Sequence, residues 1–149
     1  MQLAIEQAQQ AKAAGEIPVG AVIVLTGTDQ IVSYGHNTVY QNQDPTAHAE
    51  VNAIRLASKS LNTTKLELCD MYVTLEPCTM CAAAISCARI RRLFFGAYDA
   101  KGGGVEHGVH FFLAKTCLHA PEAFGGIMET ECRAVLENFF CDLRRHGTL

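Results

Sequence analysis

The sequence predicts a single α/β domain spanning residues 1–149, with a mixed sheet held between layers of helix. Three observations carry this. The apolar stretches follow the order helix, strand, strand, helix, strand, helix, strand, terminal helix. Only a turn separates the first two strands, which makes them an antiparallel hairpin, whereas a helix separates the third from the fourth, which makes those a parallel pair joined by a crossover. The chain, 49% hydrophobic and 18% charged, is also long and apolar enough to bury a core without disulfides.

Over 3–14, Leu3, Ala8 and Ala11 among glutamines give an amphipathic helix; Gly15 is placed to cap it and Pro18 stops it. Residues 19–25 and 30–35 read as strands joined by Thr26-Gly27-Thr28-Asp29. The first is apolar throughout and is expected to be buried on both faces. Residues 37–44 are polar and irregular. Asp44, Pro45 and Thr46 supply a cap and a starting proline for an alanine-rich helix over about 47–59, which Asn62-Thr63-Thr64 ends. A third strand over 71–75 runs into Glu76-Pro77-Cys78-Thr79-Met80-Cys81, followed by a helix from 78 to about 88 and a fourth strand over 92–96. Lys101-Gly102-Gly103-Gly104 is a flexible loop with no Gly-Lys-Ser/Thr sequel, so it is no phosphate loop. Residues 109–113 fit a short strand or a helix start, helix or irregular structure being favoured. Cys132, Val135, Leu136, Phe139, Phe140 and Leu143 recur at intervals of three and four and make 128–145 the strongest helix.

The chemistry gathers at Cys78 and Cys81. Two cysteines three apart after a proline put both sulfurs on one face of a first helical turn, where the helix dipole favours thiolates. The other donor that fits is upstream, in Pro45-Thr46-Ala47-His48-Ala49-Glu50. His48, Cys78 and Cys81 make three ligands, the number a catalytic zinc uses while leaving a fourth position to water of pKa about 7. Residues two apart do not share a helical face, so Glu50 falls to the metal's water as proton carrier rather than to the metal. Cys69, Cys87, Cys117, Cys132 and Cys141 read as small buried residues, and His107, His110 and His119 as surface or loop residues.

Charge and composition exclude some classes. A net charge of −3 gives no electrostatic footprint for nucleic acid; Arg89, Arg91 and Arg92 read as solvating a turn, and Arg144, Arg145 and His146 as complementing a helix C-terminus. Seven cysteines, an odd number, and a start that runs straight into a helical pattern fit a reducing cytoplasm. The longest apolar run, over 19–25, is too short to span a bilayer. No membrane association and no DNA partner are expected.

His-x-Glu followed by Pro-Cys-x-x-Cys resembles the zinc-dependent nucleobase deaminases of the cytidine/deoxycytidylate deaminase superfamily. Within it, the chain is most similar to the bacterial tRNA-specific adenosine deaminases. Gly15-Glu16-Ile17-Pro18-Val19-Gly20, Gly35-His36-Asn37, Asp44-Pro45-Thr46-Ala47-His48-Ala49-Glu50, Thr74-Leu75-Glu76-Pro77-Cys78, Asp99-Ala100-Lys101 and Phe139-Phe140 with Arg144-Arg145 carry that likeness. The resemblance implies a three-layer α/β/α cytidine deaminase-like fold with a mostly five-stranded mixed sheet. It also implies one Zn2+ per subunit on His48, Cys78 and Cys81, Glu50 as proton shuttle for a zinc-bound hydroxide, and a homodimer. Asn37 is expected to hydrogen-bond the flipped purine, the segment around Asp99 to lie near the RNA ribose and backbone, and Phe140 to help close the site. The implied reaction is hydrolysis of adenosine to inosine at the wobble position of an arginine tRNA, with the anticodon loop as partner. A free nucleobase deaminase for guanine or cytosine, with the same zinc site, is the alternative. Tyr98 departs from such enzymes, standing where arginine is common.

Overall fold

The computed structural model describes residues 1–28 and 30–145. The elements are α1 (Gln2–Ala13), β1 (Gly20–Leu25), β2 (Ile31–His36), α2 (Val39–Asn42), α3 (Ala49–Ser60), β3 (Cys69–Leu75), α4 (Thr79–Ala88), β4 (Arg92–Ala97), β5 (Glu122–Phe124) and α5 (Glu129–Arg145), with a 3-10 turn at Phe111–Leu113 between β4 and β5. The sheet has five strands in the order β2-β1-β3-β4-β5. As expected, β1 and β2 form an antiparallel hairpin, here with a bulge at Ile23/Val24, and β3 and β4 are parallel. β1 also pairs antiparallel with β3, and β5 parallel with β4. The sheet is therefore mixed.

Helices α3 and α4 cover one face, where Ala49, Ala53, Ala57, Ala82 and Ile85 pack on Ala21, Ile23, Met71, Val73, Leu93 and Phe95. Helices α1 and α5 cover the other, where Ile5 and Cys132 meet Ala97. Alanines dominate the first interface because α3 lies almost on the backbone of β2. A side chain on Gly35 would collide with the Ala49 carbonyl and the Ala53 amide. That close seat fixes the height of α3 above the sheet, and with it the residues at its N-terminus.

Several boundaries differ from the sequence reading. α1 ends at Ala13, with Gly15 (φ +77°) accepting the left-handed bend. The Gly15 and Glu16 amides donate back to Lys12 and Ala11 in a Schellman arrangement that turns Glu16 inward. Segment 37–44 holds the single helical turn α2. Helix α3 starts two residues later than its expected start at 47, because Asp44 spends its Oδ1 on the Thr46 amide at 2.8 Å, a turn that precedes the helix. Strand β3 begins at Cys69. The fifth strand lies at Glu122–Phe124, while 109–113 is irregular and then 3-10, in line with the favoured reading. Cys69 and Cys132 are buried as expected, but Cys87 and Cys141 are exposed. Arg92 does not solvate a turn: the β3/β4 register sets it opposite buried Asp70, which accepts from Nε at 3.1 Å and Nη2 at 2.6 Å. Asp29 of the expected turn and His146 of the C-terminal basic group lie outside the described residues.

Candidate active site

Two helix N-termini face each other at the C-terminal end of β3. His48 is the N-cap of α3 (φ −72°, ψ 156°) and Cys78 the N-cap of α4 (φ −68°, ψ 171°). Neither side chain caps its own helix, the usual work of Ser, Thr, Asp or Asn there. Instead the His48 Nδ1 lies 3.7 Å from the Cys78 Sγ and 3.5 Å from the Cys81 Sγ. A tetrahedral zinc with Zn–S of about 2.3 Å and Zn–N of about 2.05 Å separates its nitrogen and sulfur ligands by about 3.6 Å, so the three atoms already have the spacing of a zinc triad. Among the described residues this is the group of His, Cys, Asp or Glu able to hold a metal, and its ligand atoms all lie within 4.8 Å of one another.

Glu50, in the first turn of α3, is buried beside the triad. Burial pushes its carboxyl up to about 6, the Cys78 charge adding to this while its own backbone N–H and His48 oppose it. The Cys81 thiol, ahead of His48, holds Cys78 down to about 4 against the cost of burial; in return Cys78 and burial push Cys81 far upward. Both thiolates are satisfied only by a cation, which is the chemistry of a metal site.

A cavity of about 160 Å³ opens on this cluster, lined by His48, Glu50 and Cys78 with Asn37, Asp99, Glu76, Gly102, Ile17, Val19 and Leu75. A cavity of about 150 Å³ admits a benzene-sized ring, so this one has room for the reacting ring of a planar base. Ile17, Leu75, Asp99 and Gly102 also wall a wider groove of about 760 Å³ that reaches Tyr98, Lys101, Leu136, Glu137, Phe140 and Arg144. Asn37 and Asp99 thus stand in the ring-sized cavity, whereas Phe140 stands in the groove outside it. Cys81 is fully buried behind the cavity.

Two acids escaped the sequence reading. Glu16 is buried and accepts from the Gln41 amide at 2.8 Å and from the Asn37 side-chain amide at 3.5 Å. A carboxylate accepts only, so the Asn37 nitrogen faces Glu16 and its oxygen is left for the cavity. Glu76, also buried, accepts from the amides of Asp99, Val105, Glu106 and His107 and from the His107 ring. Burial would raise its carboxyl, but those donors hold it below the ordinary carboxylate range. The available signal was an acid placed between an apolar strand and the proline before the metal motif.

A family model described as the cytidine and deoxycytidylate deaminase zinc-binding region matches residues 1–97, which include all three donors and Glu50. The chain belongs to the cytidine and deoxycytidylate deaminase family. A relative from Agrobacterium fabrum, a tRNA-specific adenosine deaminase, is 49% identical over 144 residues, 97% of this chain and 93% of the relative. A solved structure from a study of A-to-I editing by tRNA:A34 deaminases superposes with a TM-score of 0.88 at 50% identity, covering 91% of this chain and 97% of that one. A guanine deaminase from Bacillus subtilis is 44% identical with a TM-score of 0.60, but covers only 65% of this chain and 61% of its own. The likeness that runs nearly end to end at about half identity is to the tRNA-specific deaminases. The five-stranded mixed sheet and flanking helices are the fold of this family, and the deaminase carries its zinc-binding region. No helix among the described residues is long and apolar enough to cross a membrane.

Proposed function

We propose that residues 1–149 form one deaminase domain that hydrolyses adenosine to inosine and ammonia at the wobble position of a tRNA anticodon, arginine tRNA being the expected substrate. The observation that carries this is the pairing of a ring-sized cavity at the triad with a wide groove walled by Tyr98, Lys101, Phe140 and Arg144. A free base needs only the cavity. A base splayed from a loop also needs room for the neighbouring nucleotides, with rings to stack on and cations for phosphate. The near full-length likeness to tRNA-specific adenosine deaminases supports the same reading.

In this mechanism His48, Cys78 and Cys81 hold zinc, which when bound acts as a Lewis acid that lowers the pKa of water to about 7. Glu50 takes one proton from water as oxygen adds to the purine C6 and gives it to N1, then takes the proton of the new C6 hydroxyl and delivers it to the departing amine, so that inosine and ammonia leave and the carboxylate is restored. Its burial excludes bulk water from that relay. The Asn37 oxygen, fixed by Glu16, accepts a hydrogen bond from the flipped nucleotide, Asp99 holds the ribose side, and Phe140 closes over the flanking base. Ammonia release from an anticodon stem-loop, free guanine and free cytosine tests the proposal: turnover of the stem-loop alone supports it, and turnover of a free base alone refutes it in favour of the nucleobase-deaminase alternative.

We further infer a cytoplasmic homodimer. Exposed Tyr34 and Leu56, which flank one hollow on β2 and α3, offer an apolar surface for a second copy, and light scattering of the purified protein tests it.

A further inference from the structure

We propose that Glu76 and His107 are positioning residues that set the substrate wall of the cavity, governing substrate grip rather than the chemical step. The inference rests on the RNA-deaminase reading above. Glu76 leaves the end of β3 one residue before Pro77, and its carboxylate lies under the loop 98–107. Its Oε1 accepts from the amides of Val105 (3.3 Å), Glu106 (2.8 Å) and His107 (2.9 Å). Its Oε2 accepts from the Asp99 amide at 3.1 Å and meets the His107 Nδ1 at 2.7 Å. One buried carboxylate thus fastens both ends of the loop, at Asp99 and at 105–107, and this loop supplies Asp99 and Gly102 to the cavity lining.

The glycine run that matches no phosphate loop finds its use here. A Cβ at Gly103 would lie 2.6 Å from the Glu76 Oε1 and 2.5 Å from the Asp99 carbonyl, so glycine is what lets the backbone close over the carboxylate. The Gly104 amide then donates to the Pro77 carbonyl at 2.8 Å, and Gly103 bridges to Cys78. His107 is the adjustable member. A carboxylate oxygen only accepts, so the proton of its contact sits on Nδ1 whatever the charge of the ring. The same ring meets Tyr98 edge-on at 5.9 Å between centroids, and Tyr98 is a wall of the groove. His107 therefore links Glu76, which itself holds the Asp99 amide, to the Tyr98 wall.

The test compares zinc-loaded wild type, His107→Ala, His107→Asn and Glu76→Gln on an anticodon stem-loop with adenosine at the wobble position. It reads KM, kcat, zinc content and hydrogen exchange of the amides at 99 and 105–107. His107→Ala is expected to raise KM about tenfold with kcat within about twofold and zinc unchanged, and to speed exchange of the loop amides. In His107→Asn, the side-chain amide takes the place of Nδ1–H and should restore both KM and protection. Glu76→Gln turns the Oε2 acceptor into a donor facing the Asp99 amide, and should raise KM further. Unchanged KM in His107→Ala, or a loss confined to kcat and zinc, or no rescue by asparagine, would each overturn the proposal. If wild type makes no inosine, the RNA reading fails instead. The exchange comparison then still judges the positioning claim: unprotected loop amides in wild type contradict it.

Discussion

Replacing Gly35 by alanine puts a methyl group where α3 rests on β2. The new carbon would collide with the Ala49 carbonyl and stand 2.7 Å from the Ala53 amide nitrogen, where ordinary contact needs at least 3.4 Å. These are backbone atoms and cannot swing aside, so α3 must retreat by about 0.7 Å or more. The overpacking costs about 2–3 kcal/mol, offset by at most about 1 kcal/mol of chain entropy; the net loss of about 1–3 kcal/mol corresponds to a Tm lower by about 2–12 °C. The larger consequence is local. His48 and Glu50 ride on the first turn of α3, while Cys78 and Cys81 belong to α4 and stay behind. A displacement approaching 1 Å at reacting groups costs up to about a hundredfold, so kcat should fall about ten- to hundredfold in the folded, zinc-supplemented variant. Gly27→Ala is the control: it strains a residue at φ +74° with nothing within 4 Å, so it should lower Tm and leave kcat unchanged. Circular dichroism melts, zinc assay and stem-loop turnover provide the comparison. If Gly35→Ala melts lower yet keeps wild-type kcat, the claim that this seat sets the site is wrong.

Glu50→Ala should keep one zinc per chain and the fold while kcat falls by at least about 10²–10⁴, read by metal analysis beside single-turnover kinetics. Cys81→Ala removes a fully buried donor and should leave the purified protein without stoichiometric zinc; EDTA treatment of wild type should lower Tm in the same direction, reversed by added zinc. Asp70→Asn weakens the pair with Arg92 at the opposite end of β3 from the site. Because the Arg92 side chain keeps 31% exposure, the loss should be only about 1–2 kcal/mol in urea unfolding, with kcat unaltered.

What was legible in the sequence is what is encoded locally. β1 needs no alternation because helices cover both its faces, and its unbroken apolar run said so. His48, Glu50, Cys78 and Cys81 were legible because zinc chemistry constrains residue type and short spacing together. β5 was not: its three residues are exposed and carry no apolar pattern, so only backbone pairing to β4 makes them a strand. The start of α3 was misplaced because Pro45 resembled a first helical residue, when Asp44 had already committed the chain to a separate turn. Cys87 and Cys141 were taken as buried on residue type alone, which carries no information about which side of a helix faces water. Glu16, Glu76 and Arg92 act on partners 21 to 31 residues away in the chain, and such pairings exist only once the sheet register is set.

The most direct test of the central claim is mass spectrometry of nuclease-digested RNA after the zinc-loaded deaminase has met an arginine anticodon stem-loop with adenosine at the wobble position. Inosine at that position alone, absent when Glu50→Ala replaces the wild type, is the predicted result. An unmodified stem-loop under conditions in which the same preparation releases ammonia from free guanine or cytosine would contradict it.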